Sequence, residues 1–318
     1  MRFSIIMPLY NKAPYVNKAI ESVFSQSFSD YELIVMDDGS KDDSYEVALK
    51  TTEGHINSHL YRQKNGGVSV ARNNAVALSQ GEYLCFLDAD DWWDERFLDE
   101  MSQLIDEFPE AGIYGTNYTI VNETKHKTRV AQIGVEDGFE RGYINYCQAY
   151  AKTMYMPLWT GAVCIPRGVF DEMKGFPEGI KLGEDFLLWI HVIYKYKVAF
   201  LNKPLAYYNQ DVDVINRGVG HLHNPEAHML WNLTDFESYE NTDKDYKKLI
   251  DNLRTYSLLP YYLSSAYHDF AQSELNKVDW VLQSTAMRRL YHQPIWILRI
   301  KMAFRKMGYK LKQMICSI

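Results

Sequence analysis

Four aspartates crowd one short stretch of this chain: EYLCFLDADDWWDE (Glu82 to Glu95) carries Asp88, Asp90, Asp91 and Asp94. Like charges that close repel and raise one another's pKa. Either water screens them or something positive lies among them. Asp88 and Asp90 are two positions apart, so on an extended segment they face one side and can share a task. Hard divalent cations such as Mg²⁺ or Mn²⁺ prefer carboxylate oxygens and keep positions open for phosphate. The competing reading is a solvated acidic turn that caps the helix starting near Asp94, because a lone D-x-D matches often by chance.

Three further clusters could join that chemistry. DDGS (Asp37 to Ser40) offers carboxylates that can accept hydrogen bonds from a base or from ribose hydroxyls, or it is only a strand–turn–helix corner. NGGVSVARN (Asn65 to Asn73) runs two glycines into a helix start, where backbone N–H groups are available to an anion. Arg72 follows on that helix and can reach a phosphate or hold an acid nearby; the Lys-Ser/Thr signature of a P-loop is missing. GED places Glu184 and Asp185 at a helix start, where acids favour the helix dipole. A functional role there would be a base taking a proton from a hydroxyl.

These residues need elements to hold them. FSIIMPL, YELIVMD, HLYRQ, EYLCFLD and AGIYGTNYTIV read as strands, separated by helical spacings such as Val16, Ala19, Ile20 and Val23. Strands alternating with single helices predict parallel pairing in an α/β sheet, with ligands beyond the carboxyl ends of the strands. Tyr10 and Asn11, DDGS and DADD all follow strands, so they fall on that one edge. Residues 121–157 read as an insertion, LWTGAVCIPRGVFDEMKGF as strand then helix, and the chain from Pro225 as mostly helical.

In order and spacing, SIIMPLYN, DDGS, GGVSVARN, GEYLCFLDADD and a late GED with Trp189 resemble glycosyltransferase family 2, across roughly residues 3–196. The resemblance implies a GT-A fold: a mostly parallel, Rossmann-like sheet flanked by helices, with a helical C-terminal region. The chain then divides into a catalytic domain at 1–210 and, past the reach of the resemblance, a mainly helical region with a basic amphipathic tail at 211–318. It implies a metal-dependent, inverting transfer from a nucleotide-sugar, a UDP-sugar by preference, to a glycan or lipid-linked acceptor in surface polysaccharide synthesis. Pro8, Tyr10, Asp37 and Asp38 would line the pocket for base and ribose, with Arg72 near the nucleotide. Asp88, Ala89 and Asp90 would form the D-x-D, with Asp88 and Asp90 on Mn²⁺ or Mg²⁺. Asp185 would be the general base, assisted by Glu184, and Asp91, Trp159 and Gly161 would line the donor-sugar and acceptor cleft. The family often has Arg where His191 stands. The rivals are a sugar nucleotidyltransferase, which would need a Lys-bearing glycine loop not found here, and a non-catalytic carbohydrate-binding or scaffold protein, which would need a damaged acid set.

Composition narrows the rest. Of 318 residues, 47% are hydrophobic and 24% charged, as in folded soluble proteins. Cys85, Cys147, Cys164 and Cys316 have no metal spacing and read as reduced packing residues. MRFSIIMPLYN is no secretory signal, and no apolar run is long enough to span a bilayer, so the expectation is a cytoplasmic protein. The net charge of −7 hides a split: from Trp280 onward there are eight Lys or Arg and no Asp or Glu. In PIWILRIKMAFRKMGYKLKQMI (Pro294 to Ile315) apolar Ile297, Ile300, Phe304, Met307, Leu311 and Met314 recur at helical spacing among basic residues. That pattern predicts a basic amphipathic helix lying on the inner face of the cytoplasmic membrane, or a packing helix with solvated charges. A homodimer is left open. Nucleic acid is excluded as a partner, because the body is acidic and carries no reading motif.

Overall fold

Apolar runs too short for helices become strands buried on both faces. In the computed structural model, which describes residues 1–211 and 222–301, β1 (Phe3–Leu9) and β2 (Tyr31–Asp37) are almost wholly enclosed. β3 (Ser58–Arg62) is the more exposed edge strand beside β2, and β4 (Tyr83–Phe86) flanks β1 on its other side. Helices α1 (Val16–Phe24), α2 (Ser44–Thr52) and α3 (Val68–Leu78) connect these four strands. α1 turns Val16, Ala19, Ile20 and Val23 inward, at the spacing read from the sequence. Each large apolar side chain so buried contributes about 1.5–3 kcal/mol. β1 pairs in parallel with β2 and β4, and β2 with β3; Leu9 lies opposite Asp37 and Ile6 opposite Phe86. The carboxyl ends of β1, β2 and β4 therefore share one edge, as expected.

The second half of the sheet is mixed rather than parallel. It is built from β5 (Trp92–Trp93), β6 (Ala111–Asn122), β7 (Lys127–Val130), β8 (Arg141–Ile144), β9 (Val163–Pro166) and β10 (Lys197–Asn209). Helices α4 (Phe97–Glu107), α5 (Tyr146–Thr153), α6 (Arg167–Glu172) and α7 (Glu184–Ile193) pack between them. The order is β3-β2-β1-β4-β9-β6-β10-β5, with β7 on β6 and β8 on β10. β9 runs antiparallel between β4 and β6, pairing Cys164 with Cys85 and with Tyr114. Because β9 starts at the carboxyl edge of β4, the turn before it, with Trp159 and Gly161, sits at the ligand edge. Sequence reading also assigns no strand to KVAFLNKPLAYYN. Pro lacks a ladder donor and argues against a central strand. β10 absorbs Pro204 with register shifts on either side of it and still pairs along β6 to Asn209.

The chain divides into two compact units, Met1–Asn232 and a second from Leu233 onward. The second holds α8 (Tyr239–Thr242), α9 (Lys244–Ser257), α10 (Leu259–Leu263), α11 (His268–Leu275) and α12 (Thr285–Tyr291). The Asp243 carboxylate caps α9 by accepting from the Asp245 and Tyr246 amides. Tyr246, Leu249, Ile250, Leu253, Tyr261 and Leu275 form its core. Of the expected basic helix, residues 302–318 lie outside the described residues. Within 295–301, which are helical, Leu298 is buried while Trp296 and Ile300 are exposed. Among the described residues no helix is long and apolar enough to cross a membrane.

Candidate active site

The turn after β1 takes a backbone form that most residues avoid: Asn11 has φ 50°. It is held by the corner after β2. Asn11 N donates to Ser40 Oγ (3.0 Å), Lys41 N donates to Asn11 Oδ1 (2.8 Å), and Lys12 N donates to Ser44 Oγ (2.7 Å). Pro8 is half-buried and Tyr10 exposed at this edge. The short polar residues of DDGS and of the helix after it thus fix the loop that follows Tyr10.

Asp37 and Asp38 are both buried at the end of β2 and after it. Asp37 accepts from Ser40 N (3.1 Å) and pairs with Arg62 Nε (3.0 Å). Asp38 Oδ1 accepts from Gln63 Nε2 and Gly66 N, each at 2.8 Å, and Oδ2 from Gly67 N at 2.9 Å. The Gly66 and Gly67 amides, read as open to an outside anion, therefore already serve the protein's own carboxylate. Gly67, at φ 92°, gives α3 its start in a conformation that side chains rarely adopt.

The acid stretch is a turn, not the extended segment assumed from the i, i+2 spacing. Asp91 N donates to Asp88 O (3.0 Å), which closes it around buried Ala89. The three carboxylates then diverge to different partners. Asp88 Oδ1 accepts from Arg72 Nη2 (2.7 Å), Asp90 Oδ2 from Lys12 Nζ (2.5 Å), and Asp91 Oδ1 from the Asn209 amide at the end of β10 (2.7 Å). Burial lifts the Asp90 pKa above the usual carboxylate range; Lys12 opposes this and Asp88 adds to it. Asp91 is lifted well above that range by burial, then by Asp90 and Asp88. Asp90 and Asp91 also border a cavity of about 190 Å³ lined by Tyr15, Lys18, Trp92, Glu123 and Asp211.

Arg72 joins the acid turn to the GED helix. Its Nη1 donates to Glu184 Oε1 (3.0 Å) while Nη2 holds Asp88. Burial favours loss of the Arg72 proton, but Asp88 and Glu184 outweigh it and keep the guanidinium charged. Burial and the neighbouring Asp185 push Glu184 up to about 7, against the pull of Arg72. Asp185 Oδ2 accepts from Thr160 Oγ1 (2.8 Å), a residue of the turn before β9. Gly161 in that turn has no room for a side chain: a Cβ would lie 2.5 Å from the Trp159 ring. Trp159 packs on Tyr118 and Tyr208, with ring centroids at 4.9 and 5.2 Å. His191 Nδ1 pairs within its own helix with Leu187 O at 2.8 Å.

Asp88 and Asp90 offer hard oxygen donors from one turn, and among the described residues no third His, Cys, Asp or Glu joins them in a metal-binding group. Five acids (Asp88, Asp90, Asp91, Glu184, Asp185) face two cations, Arg72 and Lys12. That donor set and that surplus of negative charge fit a divalent ion that keeps positions for phosphate oxygens, rather than a closed protein cage. Sequence reading named each of these acids but missed Lys12, Arg62 and Thr160. Lys12 was within sight, directly after Tyr10 and Asn11. Thr160 stands between Trp159 and Gly161, both named, but only the fold brings this turn against Asp185.

Comparison with known proteins decides the family. A model of glycosyl transferase family 2 matches residues 4–167, just over half of the chain. The chain belongs to glycosyl transferase family 2. This family match covers Lys12, Arg72, the acid turn and Trp159 and stops short of Glu184 and Asp185, whose place rests on the geometry above. Among curated relatives, the chain is 30% identical over 215 residues to the glycosyltransferase GlyA of Streptococcus pneumoniae, a match covering 65% of this chain and 30% of that protein. It is 38% identical over 108 residues to the minor teichoic acid biosynthesis protein GgaB of Bacillus subtilis, covering 33% of this chain and 12% of that one. The chain spans about a third of the length of the first relatives it matches. In fold it is similar to residues 1–349 of S. aureus TarS in complex with UDP-GlcNAc: TM-score 0.69 at 19% identity, over 87% of this chain and 79% of that one. That likeness supports the GT-A architecture of a family 2 glycosyltransferase.

Proposed function

We propose that this family 2 chain is an inverting glycosyltransferase that moves a sugar from a nucleotide-sugar to an acceptor hydroxyl in polysaccharide assembly. The observation that carries the reading is Arg72: one buried guanidinium holds Asp88 of the acid turn and Glu184 beside Asp185, so the donor-side acids and the base helix share one cleft. A UDP-sugar donor, with a hexosyl or N-acetylhexosaminyl group, is supported by the fold neighbour that binds UDP-GlcNAc. A glycan or lipid-linked acceptor is supported by the relative in teichoic acid biosynthesis.

In this reading Asp37, Asp38, Pro8 and Tyr10 frame the base and ribose, and Arg62, half-exposed beside Asp37, adds a cation at that rim. Asp88 and Asp90 would hold Mn²⁺ or Mg²⁺. Bound there, such an ion supplies charge stabilisation to the departing diphosphate. Asp185, oriented by Thr160, takes the proton from the acceptor hydroxyl as it attacks the anomeric carbon from the side opposite the diphosphate. One displacement inverts that centre, with no covalent sugar–enzyme intermediate. Glu184, with its pKa near 7, keeps a carboxyl group beside the base able to donate or accept for an acceptor hydroxyl. Trp159 and Gly161 wall the cleft, and Asp91 ties it to β10.

The test is transfer from UDP-sugars by the full chain and by Asp185→Asn. Turnover should fall about 10²- to 10⁴-fold, the usual contribution of a positioned base, while UDP still raises the thermal midpoint. Turnover left intact in Asp185→Asn would remove the base assignment.

A further inference from the structure

The two acids of the D-x-D are held by cations of different kinds. Asp88 is held by Arg72, whose guanidinium is buried, planar and tied at a second point to Glu184. Such a fork cannot leave without abandoning both partners. Asp90 is held by Lys12, a single ammonium on a flexible four-carbon stem, at 2.5 Å. Both side chains of that pair are mostly enclosed, 15% and 17% exposed. The backbone of Lys12 is fixed: its amide donates to Ser44 Oγ, and its carbonyl accepts from Tyr15 N (2.9 Å) and Val16 N (3.0 Å) at the start of α1. Only the stem is left to move, and its root stays at the ligand edge.

An ammonium and a divalent ion on one carboxylate oxygen repel each other, strongly where water is scarce. An ion bound at Asp90 Oδ2, the oxygen that Lys12 holds, must therefore dislodge Lys12. A dislodged ammonium at this edge needs a new anion, and the diphosphate of a bound nucleotide supplies one. We propose that Lys12 is the resident counter-ion of Asp90, a specificity residue that yields the carboxylate to a divalent cation and passes to the diphosphate. The two ligands then bind cooperatively and the free ion binds weakly. The inference rests on the reading of Asp90 as a divalent-ion ligand.

The experiment measures Mn²⁺ binding to the full chain by electron paramagnetic resonance, with and without UDP. The variants are Lys12→Met, Lys12→Arg and Asp90→Asn, with Lys12→Gln in place of Lys12→Met should that variant not fold. Wild-type chain should bind Mn²⁺ about tenfold more tightly when UDP is present, within the usual range of coupling between sites. Lys12→Met should bind Mn²⁺ alone about tenfold more tightly than wild type, and UDP should tighten it by a smaller factor than in wild type. Lys12→Arg, which keeps the charge, should stay as weak as wild type toward the free ion. Unchanged Mn²⁺ affinity in Lys12→Met, with binding abolished in Asp90→Asn, overturns the role of Lys12 and leaves the metal site standing. Undiminished Mn²⁺ binding in Asp90→Asn overturns the metal reading of Asp90 and this inference with it.

Discussion

Asp185 is oriented by a hydroxyl and not by a cation. In the proposed role of Asp185 as base, a Lys or Arg in the place of Thr160 would stabilise the carboxylate as an anion and disfavour proton uptake. The Thr160 hydroxyl fixes the direction of Oδ2. Thr160→Val, nearly the same shape without the hydroxyl, should lower kcat about 5- to 10-fold, the worth of about one net hydrogen bond, with KM for the donor unchanged. Thr160→Ser should restore it. Steady-state kinetics checks this, and a Val variant with full kcat would show that packing alone orients Asp185. At this scale the acids of the site were legible in the sequence, because D-x-D and GED are short local patterns. Their partners were not. Lys12, Thr160 and Asn209 lie 78, 25 and 118 positions from the acids that they hold.

At the scale of elements, the helix that carries Glu184 and Asp185 is fastened at its start by a distant strap. Gly183, the residue before α7, has φ 84°, and a Cβ there would meet Met229 Sδ at 2.3 Å. Lys181 N donates to Ala227 O (2.8 Å) and Met229 N to Leu182 O (3.0 Å). On the other side Asn73 of α3 brackets Phe176, accepting from its amide and donating to its carbonyl, each at 2.9 Å. His228, at the centre of the strap, is fully buried and accepts from Leu230 N through Nδ1 (3.2 Å). Burial, and the nearby His223, push its pKa down to about 4. Between about 6.5 and 4 the unfolded chain takes up a proton that the folded strap refuses, so this contribution is full above 6.5 and is lost as pH falls toward 4. The thermal midpoint of wild type relative to His228→Gln should therefore drop between pH 7.5 and pH 5. Parallel curves for the two proteins would contradict it. Strands β1 to β4 and their helices were readable, since their apolar runs are regular. β9 was readable as a strand within LWTGAVCIPRGVFDEMKGF, but not its antiparallel place between β4 and β6, and β10 was not readable, because its partners lie far along the chain and Pro204 breaks the local pattern.

At the scale of the whole molecule, each unit has its own internal anchor. In the second, Arg254 is buried among acids from three places in the chain. Its two terminal nitrogens each donate to Glu240 at 2.6 Å, Nε donates to Glu274 (3.1 Å), and Asp251 lies at 3.4 Å. Burial alone would raise the Glu240 pKa; Arg254 and Lys247 prevail and hold it below the usual value. Removing one partner of such a group leaves buried charge uncompensated, at about 3–5 kcal/mol. Arg254→Ala should therefore destabilise the second unit by that amount, measured by hydrogen exchange along α9 and α11. Exchange as slow as in wild type would mean that the apolar core alone holds this unit.

By itself, the order of motifs along the chain determined the family and the strand-and-helix alternation of its first half, and it named the acids of the site, because these are properties of neighbouring residues. Tertiary structure alone decided which cation faces which acid, that Asp38 and not an outside anion occupies the glycine amides, and that a strap from residues 225–231 holds the helix of Glu184 and Asp185. The physical reason is common to all three: a buried charge or amide must find a partner in space, and the chain supplies it from wherever the fold brings one within about 3 Å.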